Sequence, residues 1–83
     1  KDVSMTLDLR GKRYEEAKID LEKFLDDALY GSLTQVNIIH GYGTGTIREL
    51  VHDHLKKCAF VESYRFGGAN EGGHGVTVVN LKK

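Results

Sequence analysis

The order of apolar and polar positions predicts the elements in the first half of this chain. Apolar side chains alternate with polar ones over residues 3–9, which is the two-residue period of a half-buried strand, and Gly11 ends the pattern. Over residues 14–28 apolar side chains recur instead at steps of three and four, with acids and lysines between them. This spacing predicts an amphipathic helix that ends at Gly31.

The second half combines short apolar runs with one more amphipathic stretch. Residues 36–40 form a brief apolar run typical of a buried strand. Thr46 and Glu49 have the spacing of a capping box, and the apolar side chains after them predict a second helix. Two further strands are predicted around residues 61–66 and 76–81, and the glycine-rich segment between them predicts no regular element.

The resulting order β-α-β-α-β-β predicts an α/β fold, a two-layer α+β sandwich in which two helices cover one face of a four-stranded mixed sheet. A strand-helix-strand unit normally joins parallel strands, so the first three strands should run parallel and the last should return antiparallel. The C-terminal ends of the first three strands then meet at one end of the sheet, where open α/β sheets usually bind ligands. Residues 1–83 are expected to form this single domain.

Composition limits the class of function. Twelve basic residues balance twelve acidic ones, so no strong overall field attracts the domain to nucleic acid, and any polyanion site must be local. The one cysteine, Cys58, excludes an internal disulfide, fits the reducing cytoplasm and continues an apolar stripe of the core. No apolar run approaches the ~20 residues that cross a bilayer, so no membrane partner is expected. Because the chain begins at Lys1, we expect a piece of a longer protein.

The most informative segment is the glycine-rich turn between the second strand and the second helix, HGYGTG at residues 40–45. Alternate glycines permit positive φ and close approach, and the following helix directs its first N–H groups at the turn. Phosphate binds at such places, so four residues are candidate phosphate ligands: Gly41, Gly43, Gly45 and Thr46. His40, at the mouth of the turn, is the candidate general acid or base. The glycines would equally well make a tight structural turn, and neither a Walker loop nor a dinucleotide fingerprint is complete.

Charged side chains at the end of the first strand form a second candidate cluster. If the apolar residues of this strand face the helices, Asp8 and Arg10 point to the uncovered face of the sheet. Arg10 has the planar fork that binds phosphate, and Asp8 has a carboxylate that can orient water, a cation or a base. The alternative is a solvated ion pair between the two. Lys12 and Arg13 extend the positive patch as candidate phosphate contacts.

The last strands and the glycine-rich segment between them supply the remaining candidates. Glu71 is placed to assist a water or a metal, because long glycine-rich loops in compact domains are more often functional than not. His74 and Arg65 are candidate phosphate contacts, although the face that Arg65 occupies is ambiguous. His52 and His54 are interpreted as surface residues of the second helix.

Three segments together resemble the Smr (small MutS-related) domain family: LDLRG at 7–11, HGYGTG at 40–45 and FGGANEGG at 66–73. One glycine motif would be weak evidence, whereas three in the expected order make the likeness specific. The likeness is strongest to the form at the C terminus of a bacterial MutS-like protein that suppresses recombination. It implies the fold of the C-terminal domain of the third bacterial translation initiation factor. Many Smr domains have a histidine where this chain has Arg10, and the difference removes one candidate general base.

The resemblance implies an endonuclease that nicks DNA without strong sequence preference, or that cleaves RNA in other branches of the family. With it, four residues are predicted to be catalytic: Asp8, Arg10, His40 and Glu71. Three of these, Asp8, His40 and Glu71, could hold one Mg²⁺ or Mn²⁺, although no ligand spacing requires it and folding needs no cofactor. The longer protein would add a MutS-like ATPase, and some relatives act at stalled ribosomes, so ribosomal RNA is an alternative partner. A non-catalytic nucleic-acid-binding module is the alternative function, since binding phosphate needs no carboxylate.

Overall fold

One mixed sheet and two helices make up the computed structural model, which describes residues 5–31, 33–43, 45–70 and 72–82. The elements are β1 (Met5–Asp8), α1 (Tyr14–Tyr30), β2 (Gln35–Ile39), α2 (Thr46–Lys57), β3 (Val61–Phe66) and β4 (Val76–Leu81). The predicted α/β sandwich and its element order are confirmed. One turn of 3₁₀ helix, Gly73–Gly75, lies in the segment for which no regular element was predicted. No helix in the described part of the chain is long and apolar enough to cross a membrane.

The strands lie in the order β1-β2-β4-β3. β1 pairs parallel with β2, and β4 pairs antiparallel with both β2 and β3, so the first three strands run in one direction as predicted. Their C-terminal ends therefore lie at the same end of the sheet. Because β4 is inserted between β2 and β3, β1 and β3 form opposite edges of the sheet. Three strand spacings separate them, roughly 14 Å.

Both helices cover the same face of the sheet. Val36 and Ile38 of β2 are fully buried on that face, in one apolar cluster with the helices. The helices contribute Ala17, Leu21, Phe24, Leu25 and Ala28 from α1 and Leu50, Val51 and Leu55 from α2. The opposite face carries the apolar Val76 and Val78 and a polar row, in which Gln35 Nε2 donates to Asn80 Oδ1 at 3.1 Å and Asn80 Nδ2 donates to Ser63 Oγ at 3.2 Å. The core thus lies on one side of the sheet, and the opposite side has no helix over it among the described residues.

The helix ends depart from the sequence prediction at one place. The N-cap of α2 is Gly45 and not Thr46, and no side-chain cap bond is made among the described residues, so the predicted capping box of Thr46 and Glu49 is wrong. The reason is the turn before the helix: Gly45 adopts φ of 89°, and its carbonyl accepts from the Glu49 N–H at 2.9 Å. A left-handed residue thereby replaces the side-chain cap. Gly31 ends α1 as predicted, with φ of −78°.

Candidate functional site

Asp8 and Arg10 form a bidentate ion pair at the C-terminal end of β1. Arg10 Nη2 lies 2.8 Å from Asp8 Oδ2, and both Nε and the backbone N–H of Arg10 donate to Asp8 Oδ1 at 3.0 Å. The hydrogen bonds from the Arg10 side chain and backbone lower the pKa of Asp8 from 3.8 to about 2. Asp8 is therefore a carboxylate at neutral pH, which accepts hydrogen bonds and has no proton to donate. The pair is solvent-exposed and contributes little to stability.

Arg10 also contacts the glycine turn. The Leu9 N–H donates to the Ile39 carbonyl at 2.8 Å, so β1 and β2 stay paired until the turn begins. Gly41 has φ of 77°, and a Cβ on it would lie 3.3 Å from Cγ of Arg10. The aliphatic stem of Arg10 therefore lies against the bare backbone of Gly41. The charged cluster of β1 and the turn after β2 are thus neighbours, and together they form one candidate site.

The turn borders a small cleft of about 50 Å³ at the start of α2. Its lining consists of His40, Gly41, Gly43, Gly45, Thr46, Ile47 and Arg48. The first N–H groups of a helix have no acceptor within the helix, and the dipole makes this end positive. Because the N-cap residue of α2 is a glycine without a side-chain acceptor, this helix end is a candidate anion site.

Arg48 adds a positive charge to this cleft that the sequence analysis missed. Its Nη2 lies 2.9 Å from the position of a Cβ on Gly45, so the guanidinium occupies the space that a side chain there would need. A cation in the first turn of a helix is unfavourable, because it faces the positive end of the dipole. An anion bound nearby would offset that cost. The sequence could have indicated this role, because Arg48 comes only two residues after the start of α2.

His40 is 6% exposed and has hydrogen-bond partners at both ring nitrogens. Its Nδ1 lies 3.0 Å from the Gly41 carbonyl, and its Nε2 lies 2.8 Å from Oγ1 of Thr77. The same hydroxyl lies 2.9 Å from Nε2 of His52 on α2. The three side chains His40, Thr77 and His52 are called the histidine network below.

Hydrogen-bond chemistry gives the histidine network a direction. A carbonyl only accepts, so His40 Nδ1 carries a proton, and the neutral ring then accepts at Nε2 from the Thr77 hydroxyl. That hydroxyl has one proton, so His52 Nε2 must carry its own proton and donate to Thr77. The chain of bonds therefore runs from His52 through Thr77 and His40 to the carbonyl of Gly41. This chain of bonds fixes the orientation of the Gly41 carbonyl, and the stem of Arg10 lies against Gly41.

Both imidazoles of the network are held neutral. Burial lowers the pKa of His40, the hydrogen bond to Gly41 raises it, and the charge of Arg48 lowers it. Burial also lowers the pKa of His52, as do the nearby charges of His40 and Arg48. His52, interpreted from sequence as a surface residue, is in fact partly buried. The sequence feature that could have indicated the burial of His52 is Thr77, because a hydroxyl in a buried apolar strand needs a hydrogen-bond partner.

Lys12 and Arg13, the other basic candidates of the first half, follow the Asp8–Arg10 ion pair in the chain. Lys12 Nζ lies 2.7 Å from Asp20 Oδ2 of α1, and this interaction raises the pKa of Lys12. Arg13 is exposed and is the N-cap residue of α1. Both follow Arg10 closely in the chain. The predicted catalytic residue Glu71 lies outside the described residues.

Arg65 and His74, the candidates of the second half that the structure describes, contact residues other than Asp8. Arg65 pairs in register with Val78 on the uncovered face, which settles its orientation but leaves it on the far edge strand. His74 lies against Phe66, with ring centroids 4.7 Å apart, and Phe66 also contacts His52 at 5.3 Å. His74 thus belongs to an aromatic group beside β3.

A metal site does not emerge from the side chains in the described ranges. No three His, Cys, Asp or Glu residues there are arranged to hold an ion. Both oxygens of Asp8 accept from Arg10, and both ring nitrogens of His40 are occupied. Because Glu71 lies outside the described residues, the cation site of Asp8, His40 and Glu71 stays a prediction.

The model of the Smr domain family matches residues 7–82. This chain belongs to the Smr domain family. The crystal structure of the Smr domain of Thermus thermophilus MutS2 is 37% identical in sequence, with a TM-score of 0.90 over 95% of this chain and 99% of that one. YdaL, a stand-alone small MutS-related protein from Escherichia coli, is 30% identical, with a TM-score of 0.90 over 94% of this chain and 64% of that one. The family predicted from the three motifs is confirmed.

Curated relatives of this Smr domain are much longer proteins. Endonuclease MutS2 of Geobacillus kaustophilus is 59% identical over 80 residues, which cover 96% of this chain and 10% of that protein. Endonuclease MutS2 of Bacillus mycoides is 58% identical over the same length. The Smr domain described here thus spans about a tenth of the curated relatives it matches.

Proposed function

We propose that this Smr domain is a DNA endonuclease that nicks the phosphodiester backbone without strong sequence preference. The observation that carries the proposal is the contact between Arg10, paired with an ionised Asp8, and Gly41 of the anion-binding turn. Relatives with 58–59% identity that are named Endonuclease MutS2 support it. Within a longer MutS2-like chain the domain would serve the suppression of recombination, together with an ATPase region.

The proposed chemistry begins with binding of one backbone phosphate between Arg10 and the turn. Asp8 accepts from Nε and Nη2 of Arg10, and the proposal assigns Nη1 to a phosphate oxygen. Arg48 and the first N–H groups of α2 take the other oxygens. These groups stabilise the negative charge that develops on phosphorus oxygens in the transition state.

Asp8 orients the attacking water as a hydrogen-bond acceptor. The water oxygen forms the new bond to phosphorus and releases a proton to solvent, while one ester bond breaks and the leaving oxygen takes up a proton from solvent water. Direct proton transfer by His40, as the sequence predicted, would require one of its two ring hydrogen bonds to break. The geometry instead supports a positioning role, in which His40 holds the Gly41 carbonyl and hence the turn.

A second candidate, a non-catalytic phosphate-binding module for branched DNA or ribosomal RNA, is favoured by two observations. Asp8 is neutralised by Arg10, and His40 is sequestered from solvent. Neither arrangement is needed to hydrolyse a phosphodiester, and both are compatible with simple binding. Nicking assays with and without EDTA test whether the activity requires Mg²⁺ or Mn²⁺, whichever residues would bind the ion.

Substitution of Asp8 separates the two candidates. In a nuclease, Asp8→Asn should lower the rate of supercoiled-plasmid nicking ~10²-fold or more while binding persists. Binding should even tighten, since the variant removes a negative charge beside the phosphate. The matched control is Asp20→Asn, which removes the acid of the half-buried Lys12–Asp20 ion pair. Wild-type protein that binds but never nicks, with tighter binding by Asp8→Asn, would establish the binding module instead.

A further inference from the structure

Tyr42 is an exposed aromatic side chain that is nevertheless held in place. It lies between Gly41 and Gly43 in the chain, and 68% of the residue is exposed to solvent. The hydroxyl donates to the Gly72 carbonyl at 3.2 Å. Aromatic side chains usually bury their apolar surface. The Tyr42 side chain is instead held by this hydrogen bond while its ring stays largely exposed.

Two glycines of the facing loop make room for the ring. A Cβ on Gly73 would lie 3.0 Å from the Tyr42 hydroxyl oxygen, and a Cβ on Gly75 would lie 3.0 Å from ring carbon Cε2. Any side chain at either position would displace the ring. The loop therefore supports one side of Tyr42 with bare backbone and leaves the rest of the ring accessible.

The position of Tyr42 links it to the proposed phosphate site. Its neighbours in the chain are Gly41, which touches Arg10, and Gly43, which lines the cleft with Arg48. A nucleotide whose phosphate lies in this turn has its base within reach of the adjacent ring. In a duplex the faces of the bases are covered by their stacked neighbours, so only an unpaired base presents a face to tyrosine.

We propose that Tyr42 is a stacking platform for an unpaired nucleobase, so that the domain prefers nucleic acid with a single-stranded nucleotide at the bound phosphate. This inference rests on the proposed phosphate-binding function of the turn. The substrate class is then a strand with a gap, flap, loop or branch. A continuous duplex would bind through its phosphates alone.

The test compares an oligothymidylate, an abasic strand of the same length and a duplex by fluorescence anisotropy. Tyr42→Ala should weaken binding of the oligothymidylate about 5- to 100-fold, the range for loss of one stacked base. Binding of the duplex and of the abasic strand should stay within twofold, a margin of about 0.4 kcal/mol. Tyr42→Phe, which keeps the ring, should retain most of the affinity. The matched control is Tyr30→Ala, since Tyr30 is 88% exposed at the far end of α1.

The abasic strand also tests the inference on the unaltered protein, whatever the effect of Tyr42→Ala on folding. Equal affinity of wild-type protein for the oligothymidylate and the abasic strand would overturn the stacking role while leaving phosphate binding intact. Equal losses on both strands in Tyr42→Ala would also overturn it, because the ring would then only support the turn. Failure of the wild-type protein to bind any of the three ligands would overturn the phosphate site as well, so the two failures are distinguishable.

Discussion

Thr77 places one hydroxyl between two imidazoles, and this single residue decides how the site is held. Its side chain is fully buried, so its hydrogen bonds to His40 and His52 are shielded from water. The hydroxyl directs its proton at His40 and leaves His40 Nδ1 to hold the Gly41 carbonyl. A positive charge on either imidazole would disturb this arrangement, because the bonds assume neutral rings.

The histidine network should make the stability of the domain depend on pH. The folded-state pKa values of His40 and His52 lie below the ordinary value of 6.5. Between the two values the unfolded chain binds more protons than the folded one, so stability rises with pH. The contribution is complete above about pH 6.5 and is lost as the pH falls toward the folded-state pKa. We therefore expect a lower free energy of unfolding at pH 5 than at pH 7.5 in urea titrations followed by circular dichroism.

A variant of one histidine checks the origin of that pH dependence. His52→Gln keeps a side-chain N–H for Thr77 and removes one titrating ring, so the difference in stability between the two pH values should shrink. His54→Gln removes a histidine of the same helix outside the network and should keep the wild-type difference. An identical pH dependence in wild type and His52→Gln would exclude His52 as a source.

At the scale of elements, the turn between β2 and α2 combines glycines that the backbone requires with one that is proposed to bind phosphate. Gly41 and Gly45 have positive φ, and an added Cβ would meet Arg10 and Arg48, respectively. Gly43 lines the same cleft, but its φ is not in the left-handed region and no described atom lies within 4 Å of an added Cβ. The fold therefore does not require glycine at Gly43, whereas close approach of a phosphate would.

Substitution of Gly43 should separate binding from folding. Gly43→Val is expected to leave the melting temperature nearly unchanged and to weaken binding of a single-stranded oligonucleotide at least about tenfold, as loss of one charged hydrogen bond would. Gly43→Ala, with a smaller side chain at the same site, should show a smaller loss. Unchanged affinity in Gly43→Val would assign the turn a purely structural role.

Local patterns predicted most of the elements and missed the features that depend on distant parts of the chain. β3 and β4 have the predicted bounds, because glycines limit them on the side of the loop that joins them. The start of α2 was wrongly assigned a side-chain cap, because the left-handed Gly45 follows from the packing of the turn. Alternation in β1 correctly placed Asp8 on the uncovered face. The network around Thr77 joins β2, β4 and α2, and no local spacing reports such contacts.

At the scale of the whole molecule, topology decides which candidates can act together. Parallel β1 and β2 are neighbours, so the ion pair and the glycine turn share one end of the sheet. The insertion of β4 keeps β3 and Arg65 at the opposite edge, roughly 14 Å away. Arg65 therefore lies on a different edge of the sheet from Arg10, and a ligand of both would have to cross the uncovered face.

The central claim is that Arg10 stabilises the phosphate that is cleaved. Its most direct test is the single-turnover rate of plasmid nicking at saturating protein, compared between Arg10→Ala and Arg13→Ala. Arg10→Ala should lower this rate ~10²–10³-fold while remaining folded by circular dichroism, since it removes a charge aimed at the transition state. Arg13→Ala, which changes the next arginine along the chain at the N-cap of α1, should keep the wild-type rate. Nicking by Arg10→Ala at the wild-type rate would contradict the account.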